Sequence, residues 1–449
     1  MKKETTDPNA LAITAATPLS ALFFDRRLWM VFVLGICSGF PWVLIGSAMT
    51  GWLTDAGLSR TAIGAFGSIF FVYAINFLWA PLIDAYRLPV FRHLGDRKSW
   101  VVFLLVLMAA LCWGLSQVSP TASFWWLSAL AILLAIASAT NDIAIDGFRV
   151  DLFDPEAEQA YIPYASAAAT SGWWTGYSLL GAAAFYMKGL SDMSWSEVFV
   201  WLSLFCVLMA FLVLLLVKKD TQRLRVRAQM TQQLNWLEHI VFAVLEPFKA
   251  LFKKYGLTIV LLLLAFLFSF KMGEAFLGRM SITFYKEVGF SDTQIGTYSK
   301  MVTWWITIVF SLLGAFFNQR FGIVKGLVVG GVAMSATNLL FALIALQGPK
   351  ESLYLLAVIL DGFTSAFATV VLVSFVTLLT DRVFSATQYA LLASVANFGR
   401  TTVSGFSGVA VDAMQGNWAL FFLLTTLMVL PSLVILGFLV RALKKRKIL

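Results

Sequence analysis

The chain is short of charge. Of its 449 residues only 13% are Asp, Glu, Lys or Arg, about half the usual share, while 60% are hydrophobic. A soluble fold needs a charged surface to stay dispersed, so a water-soluble enzyme or nucleic-acid binder is excluded, as are disordered and collagen-like chains. The only cysteines, Cys37, Cys112 and Cys206, lie inside apolar blocks, and the two histidines, His93 and His239, fall in basic loops without forming a cluster. A disulfide scaffold, a metal centre and a His- or Cys-based catalytic site therefore have nothing to stand on. No GxxxxGK[ST] loop occurs, which removes an ATP-driven pump built on this chain alone. The reading is of a protein that is not an enzyme and holds no cofactor. No signal-peptide core precedes Leu28, so the first apolar block is expected to be retained.

What fills the chain is a succession of apolar blocks long enough to cross a bilayer. Cutting at Pro, Gly and charge clusters gives twelve, at about 28–50, 62–83, 99–117, 122–143, 161–187, 196–217, 256–285, 294–317, 322–346, 351–378, 385–411 and 417–440. The fold class is all-α and polytopic. Most of the 33 Lys and Arg fall in the termini and in alternate loops, where they include Arg26, Arg97, Lys98, Arg149, Arg320, Arg382 and Lys444. The other set of loops holds only Arg60, Lys188, Lys286 and Lys350. By the positive-inside rule both termini are cytoplasmic.

The longest polar stretch, 218–255, divides six spans from six, giving bundles at 1–217 and 256–449 with a cytoplasmic linker between them. Gly57, Leu58 and Ser59 with Ile63 and Gly64 recur at the same spacing as Gly289, Phe290 and Ser291 with Ile295 and Gly296, each copy entering the second span of its half. Two paired six-span halves are the organisation of a major-facilitator transporter, whose substrate sits near the bilayer midplane between them.

An ionisable group at the centre of a span costs at least about 2.5–3.5 kcal/mol, so each one needs a partner or a wet path. In span 7, Lys271, Glu274 and Gly278 fall within one sector of a helix, with Arg279 on its flank; Lys300 follows in span 8. In span 11, Asn397, Arg400, Thr401, Ser404 and Gly408 form a polar stripe. In span 10, Asp361 shares a face with Thr364 and Ser365. The functional reading gives Lys271, Arg400, Asn397, Arg279 and Lys300 an anionic substrate and gives Glu274 or Asp361 a proton. The structural reading makes them an ion-pair network joining spans 7, 10 and 11.

A second group lies at the cytoplasmic ends. Asp84 precedes Arg97, and Asp142, Asp146 and Arg149 share one face of span 4. Such carboxylate–arginine clusters suit a gate that closes in one state and opens in the other; a solvated loop is the plainer alternative. Trp173 and Trp174 sit among Ser171, Gly172, Thr175 and Gly176, a surface built for close helix packing, with an aromatic platform for a ring as the other use.

These segments resemble the AmpG family of muropeptide permeases, a branch of the major facilitators. The resemblance rests on FLWAPLID at 77–84, NDIAID at 141–146 with Arg149 and Asp151, KMGEAF at 271–276, GFS at 289–291 with Lys300, and FSATQYALL at 384–392 ending in Gly399 and Arg400. It implies a monomeric inner-membrane carrier importing anhydromuramyl sugars with attached peptide on the proton gradient, its partners being that substrate, protons and the lipid bilayer, with no nucleic acid. The chain departs from the family in having Asn76 where members carry a lysine, Trp174 where they carry an arginine, and an added cation at Arg279. Those changes keep open a siderophore or acyl-CoA-like anion as substrate on the same scaffold, and a membrane sensor without transport.

Overall fold

The computed structural model describes residues 25–446 except 59–65, 67, 87, 89–91, 122, 154–157, 191–192, 219–235, 291–293, 295–297 and 299–301. The repeat copies lie largely outside them, as does Lys300. Among the described residues the secondary structure is helical throughout, as a bilayer demands, because only a helix satisfies its backbone polar groups without water.

Among the described residues eight helices are long and apolar enough to cross a bilayer, and shorter or broken helices occupy the other four blocks, in keeping with two sets of six. Span 1 is Arg26–Leu53, span 3 Asp96–Ser116, span 4 Phe124–Leu152 and span 6 Trp195–Leu216. Spans 2 and 5 occupy 68–85 and 162–190. In the second bundle, span 8 is Thr303–Phe321, span 9 Ile323–Gln347 and span 10 Glu351–Leu379. Span 7 is Leu257–Phe270 with Met272–Val288, span 11 is Ser385–Ser404 with Ser407–Ala413, and span 12 is Trp418–Leu427 with Val429–Lys445. Starts are written in the sequence: Asp25 caps span 1, Ser194 and Glu197 form a capping box on span 6, and Asn417 caps span 12. Lys271 lies between the two pieces of span 7 with non-helical backbone (φ −106°, ψ 16°), so the block at 256–285 is a broken helix. The polar segment at 218–255 is only partly a loop, because Trp236–Tyr255 is a helix whose Leu251 and Tyr255 are buried in the second bundle.

Spans 1 and 12 begin and end on the same face, which also carries Arg97, Arg149, Arg320 and Arg382; it is called the basic face, and the opposite one the distal face. Exposed side chains such as Trp125, Trp201 and Phe211 form the lipid-facing belt. Spans 1 and 5 pack with backbones in contact through Gly35, Gly39, Gly172 and Gly176. A Cβ on Gly39 would run into the backbone of Trp173. Gly39→Ala is therefore expected to cost about 1–3 kcal/mol and to lower the melting midpoint of the solubilised protein. Gly278, with open space beside it, should accept alanine without loss. Equal melting of the two variants by scanning fluorimetry would remove the span 1–span 5 contact as a determinant of the fold.

Candidate functional site

The break in span 7 sets Lys271 facing span 10. Its Nζ lies 2.7 Å from Glu274 Oε2 and donates to Thr369 Oγ1 at 2.7 Å. Ser365, one turn before Thr369, donates to Glu274 Oε1 at 2.6 Å. One turn further toward the distal face, Asp361 Oδ1 accepts from Thr337 of span 9 at 3.2 Å. Arg400 on span 11 is within electrostatic reach of both Lys271 and Glu274. It is exposed and has no ion pair or hydrogen bond among the described residues. The result is a polar wall with a neutralised pair at its base and a free guanidinium beside it. A charge-assisted fork of this kind suits a carboxylate.

The first bundle answers with an aromatic wall. Spans 1 and 5 each contain a stretch wound wider than an α-helix, Val43–Ala48 and Thr175–Leu179. Beside these stretches lies a recess of about 520 Å³ lined by Trp42, Gly46, Ser47, Thr50, Phe70 and Tyr177. The Trp42 ring is 4.5 Å from that of Tyr73 and 5.6 Å from that of Trp173, which stacks on Tyr177 at 5.0 Å. The Trp173 backbone packs on span 1 and its ring stacks on Tyr177.

Toward the basic face the bundles are locked together. Asp84 Oδ1 lies 2.6 Å from Arg97 Nη2, both side chains at 0% exposure, and Asp84 Oδ2 accepts from the backbone N–H (2.8 Å) and hydroxyl (2.5 Å) of Thr387 in span 11. Arg97 also donates to Ser385 Oγ at 2.9 Å. The backbone N–H of Thr387 belongs to the first turn of span 11, which has no intrahelical partner for it, so a carboxylate from the first bundle caps a helix of the second. Arg149 bridges likewise, donating to Thr377 Oγ1 of span 10 at 2.8 Å and to Asp146 at 3.1 Å, with the Tyr389 ring 4.8 Å away.

Burial changes along span 11. Ser385, Thr387 and Ser394 are buried, and Ser394 donates to Asn76 of span 2 at 2.8 Å. Asn397 and Thr401, on the same face as Ser394 and further along, are exposed, as is Arg400. The face that meets the first bundle near the basic side is uncovered toward the distal side.

Of the residues singled out in the sequence, Lys271, Glu274, Asp361 and Arg400 come together, and Asn397 is exposed one turn before Arg400 on span 11. Arg279, five residues beyond Glu274 and so about 140° round the helix, is exposed and joins none of their contacts among the described residues. Asp84, Arg97 and Arg149 meet partners across the bundle interface, and Asp146 pairs with Arg149 on its own helix. Asp142 does not: its Oδ1 accepts from Ser38 Oγ of span 1 at 2.6 Å, within the first bundle. The shared face with Arg149 is real, but helical periodicity says nothing of which neighbour covers each turn. The hydroxyl partners Thr337, Thr369, Thr377, Ser385 and Thr387 and the rings of Trp42, Tyr73 and Tyr177 were not foreseen.

Comparisons with known proteins agree with this architecture. The sequence pattern of the Major Facilitator Superfamily matches residues 31–298. A Rickettsia felis protein named transporter AmpG 4 is 32% identical over 94% of this chain and 98% of its own length. The anhydromuropeptide permease of Escherichia coli K12 is 27% identical over 92% of this chain and 80% of its own. Among solved structures, the E. coli fucose:proton symporter FucP superposes with a TM-score of 0.67 at 14% identity, covering 92% of this chain and 98% of that one. The proton:xylose symporter XylE gives 0.65 at 13%, covering 95% and 96%; at these identities the likeness is one of fold. An all-helical, multi-pass chain with this likeness of fold and this sequence kinship belongs to the major facilitator superfamily and, within it, to the AmpG-like transporters.

Proposed function

We propose that this protein is a proton-coupled carrier, not an enzyme, that imports an anhydromuropeptide from the periplasm to the cytoplasm across the bacterial inner membrane. The observation that carries the reading is the polar cluster inside the second bundle, Lys271 paired with Glu274 and the exposed Arg400 within electrostatic reach, together with an aromatic recess in the first bundle. Sugar rings present apolar faces that pack on aromatics, and the peptide's carboxylates match a guanidinium and an ammonium. Glu274 neutralises Lys271 until an anionic substrate takes its place. Asp361, held only by the Thr337 hydroxyl, takes up the proton. The kinship with the E. coli anhydromuropeptide permease supports the same substrate.

The excess of Lys and Arg on the basic face makes that face cytoplasmic, so the cleft is open to the periplasm and the lock at Asp84, Arg97 and Arg149 is the cytoplasmic gate. Residues 1–217 and 256–449, joined by 218–255, are the rocking bodies, and the carrier works as a monomer. A second reading, a siderophore or acyl-CoA-like anion, draws on Asn76 and Trp174, which replace cations carried by family members and place the ligand's negative groups differently.

Uptake into proteoliposomes tests both. With the outside acidic, labelled anhydromuropeptide is expected to accumulate, and unlabelled anhydromuropeptide, but not a ferric siderophore, competes. Asp361→Asn or Glu274→Gln should lose accumulation, which is worth about tenfold per proton for each unit of pH gradient. Effective competition by the siderophore moves the substrate to the second reading, and accumulation of neither ends the carrier reading.

A further inference from the structure

The carboxylates inside the spans do not all have the same company. Asp84, Asp146 and Glu274 each meet a cation at ion-pair distance. Asp142 meets none among the described residues. It sits in span 4 ten residues from that helix's end at the basic face, about 15 Å into the bilayer by helical rise, and its bonded partner is the Ser38 hydroxyl at 2.6 Å. The titratable groups around it are Asp146, one turn along its own helix, Tyr73 of span 2 and Tyr389 of span 11. None supplies positive charge. Beside Ser38, one turn on in span 1, Trp42 lines the aromatic recess, and two turns below Asp142 is Arg149, which closes the gate against Thr377. An asparagine or serine would serve a merely structural bond to Ser38 without the cost of an ionisable group at this depth, at least about 2.5 kcal/mol.

We propose that Asp142 is a proton-carrying residue of the first bundle, loaded from the periplasmic cleft and unloaded into the cytoplasm when the gate opens. The inference rests on the proton-coupled reading above and adds to it a station on the gate side of the cleft. A proton from periplasmic water converts the carboxylate to the neutral acid, and the acid returns that proton to cytoplasmic water. Asp361, about 15 Å from the distal end of span 10, and Asp142, about the same distance from the basic end of span 4, then stand on opposite sides of the midplane. Ser38 ties the titrating group to span 1, so a change in its charge is felt both at the wall that holds substrate and at the helix that carries Arg149.

The test compares wild type, Asp142→Asn and Asp142→Glu in proteoliposomes with labelled anhydromuropeptide, measured two ways. Counterflow exchange needs substrate binding and rocking but no net proton movement; accumulation under an imposed pH gradient needs both. For Asp142→Asn the expected result is counterflow within about twofold of wild type with accumulation reduced about tenfold at one unit of gradient. Asp142→Glu, which keeps an acid, should regain part of the accumulation. Wild-type accumulation by Asp142→Asn would overturn the proposal, and so would loss of counterflow and accumulation together, which would make Asp142 a structural strut. A wild-type protein that exchanges substrate but ignores the gradient would remove the proton-coupled reading and this role with it.

Discussion

Arg400→Ala is expected to lower uptake at low substrate concentration about a hundredfold, equivalent to about 3 kcal/mol, while the yield of folded protein stays at the wild-type level. Both halves of that expectation follow from how the residue is held. Arg400 is exposed in the cleft and has no partner to orphan among the described residues, so its removal leaves no buried charge behind. The guanidinium is therefore free to spend its donors on a ligand, and truncating one side of a desolvated charge pair costs roughly 2–5 kcal/mol. Arg400→Lys keeps the charge but not the planar fork and should fall between, about tenfold below wild type. Lys271→Ala offers a contrast, because it strands Glu274 without its counter-ion and should reduce both uptake and yield. Unchanged uptake by Arg400→Ala, or a fall in yield that accounts for the whole loss, would return the cluster to the structural network that was the alternative reading of these charges.

What the sequence made legible was local. Eight spans among the described residues announce themselves by length and apolar composition, and the pairing of Lys271 with Glu274 follows from a spacing of three on one helix. The caps at Asp25, Ser194 and Asn417 are equally local. What stayed hidden depends on partners far apart in the chain. Asp84 and Thr387 are separated by 303 positions, and nothing in either segment names the other. The aromatic wall draws one or two rings each from spans 1, 2 and 5, and in a chain that is 15% aromatic a ring facing the recess reads the same as a lipid-facing one. The wide-wound stretches at Val43–Ala48 and Thr175–Leu179 carry no proline or charge to betray them. Asp142 shows the limit from the other side: periodicity put it correctly on the face of Arg149, but the turn it occupies is covered by Ser38 of its own bundle and not by the opposite one.

The hidden contact between Asp84 and span 11 is also where a single substitution should move the whole protein. In this structure Asp84 holds Arg97 with one oxygen and caps Thr387 with the other, and neither charged side chain reaches solvent. Breaking a buried pair by removing one member costs about 3–5 kcal/mol. Arg97 belongs to the same bundle as Asp84 and keeps Asp151 at 3.5 Å, so the loss that depends on state is the carboxylate cap on Thr387, about 1.5–3 kcal/mol per hydrogen bond, and Asp84→Ala should shift the conformational balance toward the form open at the basic face by at least about tenfold. A cysteine at Thr401 reads this directly, since that position is exposed toward the distal face, which the proposed orientation makes periplasmic, while Cys37, Cys112 and Cys206 are buried and give little background. Labelling of Thr401→Cys by a membrane-impermeant maleimide from the periplasmic side should be fast in the parent and strongly slowed by Asp84→Ala. Thr387→Ala removes one hydroxyl donor and leaves the Arg97 pair intact, about 1 kcal/mol, and should slow labelling about fivefold in the same direction. If Asp84→Ala lowers protein yield, the milder variant still carries the comparison. Unaltered labelling in both would mean that the gate is held shut by the remaining contacts, of which Arg149 with Thr377 and Tyr389 is the chief.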